Sequence, residues 1–294
     1  MATATTTQAG AGAKPTTAKK TDSGPKTPWW MWLCVGGIVF YCLFPFYWLI
    51  NLSLKTGADL ANNSLIPPNP SLANYKAIFK NDDFVRALGN SVWVAGWTTV
   101  LAITIGSFCA YALARLRFRG KVPLLGLVLA VSMFPQISVV SPLFLLLRSL
   151  RLIDTYPGLI LPYLTFALPL TVWLLVGFFR QLPSELEEAA MVDGAGRLRA
   201  FREVIVPVAV PGLAATAILT FVYSWNEFLF ALSFTLGPER QTVPVAIALF
   251  RGMYQVPWGQ ILAAAVVATA PVTLLVLAFQ RRIVQGLTAG AVKG

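Results

Sequence analysis

The sequence predicts an all-α membrane protein with six transmembrane helices and both termini on the inner side. Three observations carry that prediction. Of 294 residues, 56% are hydrophobic and 12% charged, about half the charged share of an ordinary soluble domain. The apolar residues lie in six runs of about 20–25 residues, the length a helix needs to cross a hydrocarbon core. Lysine and arginine are distributed unevenly between those runs.

Residues 1–28 are rich in Thr, Ala, Gly, Pro and Lys and have no large apolar side chain beyond Met1. They bury too little to offset their ordering entropy and predict a disordered inner tail. The first run, 29–52, is too long for the apolar core of a signal peptide and no A-x-A site follows it, so it reads as an uncleaved anchor. Its aromatic residues Trp29, Trp30, Trp32, Tyr41, Tyr47 and Trp48 cluster at the two ends, as an interfacial belt does. In the outer loop 53–89, Pro67, Pro68 and Pro70 make a rigid turn. Leu72, Tyr75, Ile78 and Phe79 follow at helical spacing and predict a short amphipathic helix at the membrane surface. The further spans are 90–113, 123–147, 158–179, 211–234 and 259–279. The transmembrane domain is thus 29–283, with a C-terminal tail, 284–294.

Charge density sets the orientation. With the N-terminus inside, the inner segments hold Lys14, Lys19, Lys20 and Lys26, then Arg115, Arg117, Arg119 and Lys121. Arg180, Arg197, Arg199 and Arg202 follow, then Arg281, Arg282 and Lys293. The outer segments hold Lys55, Lys76, Lys80, Arg86, Arg148, Arg151, Arg240 and Arg251. The short loop 114–122 is dense in cations and the long loop 53–89 is sparse, which places the former inside.

Several functions are excluded. The chain has no histidine, so it has no imidazole catalysis, His metal site or His pH switch. Cys34, Cys42 and Cys109 lie in apolar runs without C-x-x-C spacing, which suggests neither a disulfide framework nor a zinc site. The net charge of +11 is scattered between spans and points to membrane lipid, not nucleic acid. There is no G-x-x-x-x-G-K-[ST] loop to cradle ATP phosphates.

The loop 180–210 is the most informative stretch. Pro183 and Ser184 begin a helix in which Ser184 as N-cap and Glu187 at the third position predict a capping box. Glu185, Glu187 and Glu188 suit the positive end of the helix dipole, and Leu186, Ala189 and Ala190 give a small apolar face. Gly194 permits the positive-φ turn that ends the helix. Leu198, Phe201 and Ile205 then begin a second helix. The result is a helix-turn-helix whose small residues allow close approach of another protein.

Within the spans Glu227 is the only acidic residue, with Asn226 beside it. An ionisable group there either faces a translocation path or gate, or makes an interhelical hydrogen bond. Gln136 and Ser138, with Ser132 and Ser141, form a second polar set around Pro135, which breaks the helix. They are candidates for pathway lining or for helix packing.

Glu188-Ala189-Ala190, three residues, Gly194, nine residues and Val204-x-Val206-Pro207 resemble the EAA loop of ABC importer permeases. The family pattern is E-A-A-x3-G-x9-I-x-L-P, and this chain departs from it only by valine at the two aliphatic positions. Ser224-Trp225-Asn226-Glu227-Phe228 resembles the W-N-[DE] signature of maltose-type carbohydrate permeases. The ending from Val284 to Gly294 resembles the C-terminus of the second permease subunit of those systems. Tyr163–Pro169 and Phe279–Ile283 are similar to stretches of actinobacterial trehalose permeases. The similarity runs from about residue 35 to the end.

This resemblance implies the type I ABC importer permease fold and a non-catalytic transport subunit. The cargo it implies is a sugar, a di- or oligosaccharide such as trehalose or maltose. It makes 180–210 the coupling loop that docks on an ATP-binding subunit through Glu188, Ala189, Ala190, Asp193, Gly194 and Pro207. Thr288, Gly290 and Lys293 lie in the tail that reaches between two such subunits, which hold the ATP and Mg; this chain itself needs no cofactor. The implied partners also include a second, non-identical permease and an extracytoplasmic sugar-binding protein, lipoprotein or periplasmic, contacted through 235–258. The site is the bacterial cytoplasmic (inner) membrane. The alternatives are a permease of the same family for glycerol phosphate or another polyol, and a stand-alone secondary transporter. The latter usually carries several mid-membrane ionisable groups.

Overall fold

The computed structural model describes residues 28–250 and 256–288, with side chains as far as residue 280. The expectations for the tail 1–27, for Arg251 and for Gly290 and Lys293 lie outside those residues, as do those for the side chains of Arg281, Arg282 and Thr288. The described residues are helices and connections, with no strand among them. The chain divides after Phe46. Most of α1 (Trp29–Ser53) belongs to the first unit, an uninterrupted apolar helix. The second unit contains everything from Tyr47 onward.

The loop after α1 is organised by a buried cation. Lys55 is fully buried. Its Nζ donates to the carbonyls of Asn62 (2.7 Å) and Ser64 (2.9 Å) and lies 5.4 Å from the centre of the Trp48 ring. The carbonyl of Lys55 accepts from Asn74 Nδ2 at 2.8 Å. Lys55 is therefore not the solvated outer charge that the sequence suggests. Two carbonyls and an aromatic face replace its hydration, and the 3-10 turn Gly57–Ala61 wraps the same segment.

Next comes α2 (Ala73–Phe79), the expected amphipathic helix. Its Ile78 is fully buried and, with half-buried Tyr75, packs in a cluster containing Ala263 and Ala264. The helix thus docks on α13 (Trp258–Thr288), while its Phe79, and Leu72 just before it, are exposed.

The core is built on α3 (Asp82–Arg115), 34 residues long, or about 51 Å at 1.5 Å per residue. It begins earlier than the apolar run. Asn81 accepts from the backbone N–H groups of Asp83 (3.0 Å) and Phe84 (3.3 Å), and Asp82 and Asp83 suit the helix dipole. α3 packs along α6 (Tyr156–Gln181) and α10 (Val210–Trp225). Small residues allow this: a Cβ on Gly106 would stand only 2.8 Å from Cγ2 of Thr171, and Ala102, Ala110 and Ala167 are fully buried. Thr171 and Thr220 join hydroxyls at 2.9 Å between α6 and α10, a polar contact suited to helices in lipid.

Two of the expected spans are not continuous helices. The third run forms α4 (Lys121–Ser132) and α5 (Gln136–Ser149), which meet at 90°. Pro135 takes extended torsions (φ −62°, ψ 119°) at the corner. Alone, each helix is roughly 18–21 Å long, short of a hydrocarbon core of about 30 Å. The fifth run breaks at 226–228, between α10 and α11 (Leu229–Phe234). Four described helices are long and apolar enough to cross a membrane, or six if each of two bent pairs forms one span. The second bent pair joins the segment Arg197–Val208 to α10 at 77°. That segment comprises α8 (Arg197–Ala200), a π-helical turn (Phe201–Ile205) and α9 (Val206–Val208). The short α7 (Glu185–Val192) precedes it, and α12 (Val243–Ala248) lies between α11 and α13.

Candidate functional site

The loop between α6 and α10 is a compact helical knob. Its entry is pinned where Arg115 Nη2, at the end of α3, donates to the carbonyl of Leu182 at 2.5 Å. The expected capping box is not formed. Ser184 has helical torsions and its side chain caps nothing. Glu187 instead accepts a hydrogen bond from the Tyr111 hydroxyl, 2.5 Å from Oε1, and is buried. A phenol-to-carboxylate bond is roughly twice as strong as a neutral one, and the fold brings the Tyr111 hydroxyl of α3 within reach of α7.

The end of α7 follows the expected turn. Gly194 has φ +87°, its N–H donates to the Met191 carbonyl (3.1 Å), and the N–H of Ala195 donates to the Ala190 carbonyl (2.9 Å). These two bonds satisfy carbonyls that the helix end would otherwise leave open. The second arm is anchored by its rings. Phe201 lies 4.7 Å from Tyr111, 5.2 Å from Phe108 and 6.2 Å from Phe179, centre to centre. Ile205, Val172, Leu175 and Val176 complete the cluster. Leu198, expected on the same face, is 61% exposed. The π turn lies where Pro207, lacking an N–H, interrupts the normal ladder before the 77° bend.

What remains outside is the tip. Glu188, Ala189, Asp193, Gly194 and Pro207 are exposed and Ala190 is half-buried. Val192 is 87% exposed and Met191 and Leu198 are also open. Acidic residues beside uncovered apolar side chains on a rigid knob suit a protein partner.

The polar candidates in the spans have the following partners in the geometry. Glu227 is buried, and its carboxylate accepts from the N–H groups of Phe230 (2.8 Å) and Ala231 (3.2 Å) at the start of α11. It replaces the helical bonds lost at the break. Asn226 is exposed and donates to the Val222 carbonyl at 2.7 Å. Gln136 donates to the Tyr223 hydroxyl at 2.6 Å, which ties the start of α5 to α10, one turn before Glu227. Ser138 is exposed. Gln136, Asn226 and Glu227 thus collect where two broken runs meet. Glu227→Leu is expected to remove a cap worth about 1–2 kcal/mol and lower the unfolding temperature of the purified protein, while Glu227→Gln keeps an acceptor and most of the stability. Unchanged stability in Glu227→Leu together with altered transport would assign Glu227 to the pathway.

Tyr111, Arg115, Phe179 and Phe201 escaped sequence reasoning as site residues. Tyr111 and Phe179 lie in apolar runs, where such side chains read as core, while Arg115 reads as one of the inner cations and Phe201 as part of the second helix of the loop; no local pattern names the partners these four find.

The fold and the knob define a class of protein. Residues 102–289 match the family described as the binding-protein-dependent transport system inner membrane component, and the chain belongs to it: it is a permease subunit of an ABC importer, a transport component of a multi-pass membrane system. It is 51% identical over 259 residues to the trehalose transport system permease protein SugB of Mycobacterium tuberculosis, covering 87% of this chain and 94% of that one. It is 42% identical over 267 residues to the trehalose/maltose transport system permease protein MalG of Thermococcus litoralis, covering 89% and 96%. In fold it resembles a chain of a bacterial ABC transporter that imports the acidic polysaccharide alginate. That match has a TM-score of 0.74 at 21% identity and covers 85% of this chain and 94% of that one.

Proposed function

We propose that the chain is one of two non-identical permeases of an importer for a di- or oligosaccharide, with trehalose as the first candidate, in the bacterial cytoplasmic membrane. The observation that carries the coupling role is the exposed tip of α7 and Gly194 on a base buried against α3 and α6. The likeness to the trehalose permeases supports the cargo. In this reading six spans place both termini and the knob on the inner side. Two ATP-binding subunits, which hold the ATP and Mg, dock there. Glu188 offers a carboxylate to a basic residue of the ATPase, Gly194 shapes the tip, and Asp193 and the Ala189–Ala190 face allow close approach. The C-terminal tail with Thr288, Gly290 and Lys293 adds a second ATPase contact, and an extracytoplasmic binding protein delivers the sugar.

The test is to purify the tagged chain from its native membrane in mild detergent, identify what accompanies it by mass spectrometry, and measure labelled trehalose uptake. An ATPase, a second permease and a sugar-binding protein are expected. A chain that purifies alone, without an ATPase, would overturn the coupling role. A binding protein selective for glycerol phosphate or another polyol would overturn the cargo.

A further inference from the structure

We infer that Tyr111 and Glu187 form the joint through which movement of the knob reaches the long helix α3. The inference rests on the reading of 180–210 as the ATPase-docking loop and assigns a role to two residues outside the exposed tip.

Of the three glutamates of α7, Glu185 and Glu188 are exposed and Glu187 alone is buried. Its partner stands 76 residues away on α3. Among the described residues this is the only side-chain hydrogen bond between α7 and a membrane-length helix. The Arg115 bond holds Leu182, the end of α6, and does not reach α7. Tyr111 also touches the other arm, for its ring centre is 4.7 Å from that of Phe201. One side chain therefore holds both arms, α7 by its hydroxyl and the π turn by its ring.

This geometry makes the knob and the end of α3 move together. Displacing α7 without α3 would strip a buried carboxylate of its donor, and that loss costs more than an ordinary hydrogen bond contributes. From Tyr111, α3 runs back along α6 and α10 for most of its 34 residues. A stiff helix carries displacement along its length, whereas a loop would absorb it. Tyr111 and Glu187 are positioning residues, since neither faces the exposed tip.

The experiment uses the complete importer, purified with its partners and reconstituted in liposomes, with trehalose carried per ATP hydrolysed as the readout. In Tyr111→Phe the ring still packs on Phe201 but the donor is gone. The sugar carried per ATP is expected to fall about tenfold, with the amount of assembled complex within about twofold of the parent. Glu187→Gln keeps an oxygen that accepts from the phenol and should stay within about threefold of the parent ratio. A parental ratio in Tyr111→Phe would overturn the inference. So would a loss of uptake that merely tracks a loss of assembled complex, which would make the bond a fold contact. If the parent complex itself shows no ATP-dependent uptake, the reading of the loop falls, and the joint with it.

Discussion

Gly194→Asp should leave the chain folded and in the membrane yet lose ATP-driven uptake, by roughly thirtyfold if the docking penalty is about 2 kcal/mol. Two observations separate folding from docking here. Gly194 has φ +87°, so any L-residue is strained, but aspartate is among those that tolerate this conformation and the cost is about 1 kcal/mol. A Cβ at 194 meets nothing within 4 Å, so the chain itself accommodates a side chain. The added carboxylate joins exposed Asp193 and Glu188, on the surface proposed to receive the ATPase. Uptake and co-purification of the ATPase, measured on the same membranes, decide the matter. Parental uptake in Gly194→Asp would remove Gly194 from the coupling surface.

Phe201→Ala should have the largest effect on stability. The side chain is 3% exposed and is the ring shared by three aromatic neighbours. Truncating a buried phenylalanine costs about 3–5 kcal/mol, because the cavity closes only in part. Here the cavity would open between the second arm of the knob and α3. We expect a much lower yield of assembled protein and a lower unfolding temperature in detergent, with Phe201→Leu recovering much of both. Leu198→Ala, three residues earlier and 61% exposed, should change stability by no more than about 0.5 kcal/mol. Equal loss in the two alanine variants would show that the ring cluster does not hold the knob.

The sequence and the structure agree best where local pattern decides the outcome. The spacing from Glu188 to Gly194 to Pro207 is a property of the chain alone, and so is the turn at Gly194, since glycine at a helix end with a free left-handed region satisfies the last carbonyls by itself. The all-α class also follows from the chain, because lipid leaves the backbone few ways to pair its polar groups. Other local patterns were overruled. Ser184 and Glu187 have the spacing of a capping box, yet Glu187 turns to a phenol 76 residues away. Leu198 has helical spacing with Phe201 and Ile205, yet is 61% exposed.

By itself, then, the sequence determined that this is a helical membrane chain whose loop 180–210 carries a glycine-ended helix, because composition, run length and residue spacing act within a few residues or accumulate along the chain. The permease reading came from the resemblance of its motifs. Only the tertiary structure decided that Lys55 is buried under carbonyls, that the run around Pro135 turns through 90°, and that Tyr111 grips both arms of the knob. Each of these depends on which helices lie side by side. Packing supplies a donor, a carbonyl or a ring from a distant part of the chain, and a buried polar group takes whichever partner packing brings within reach.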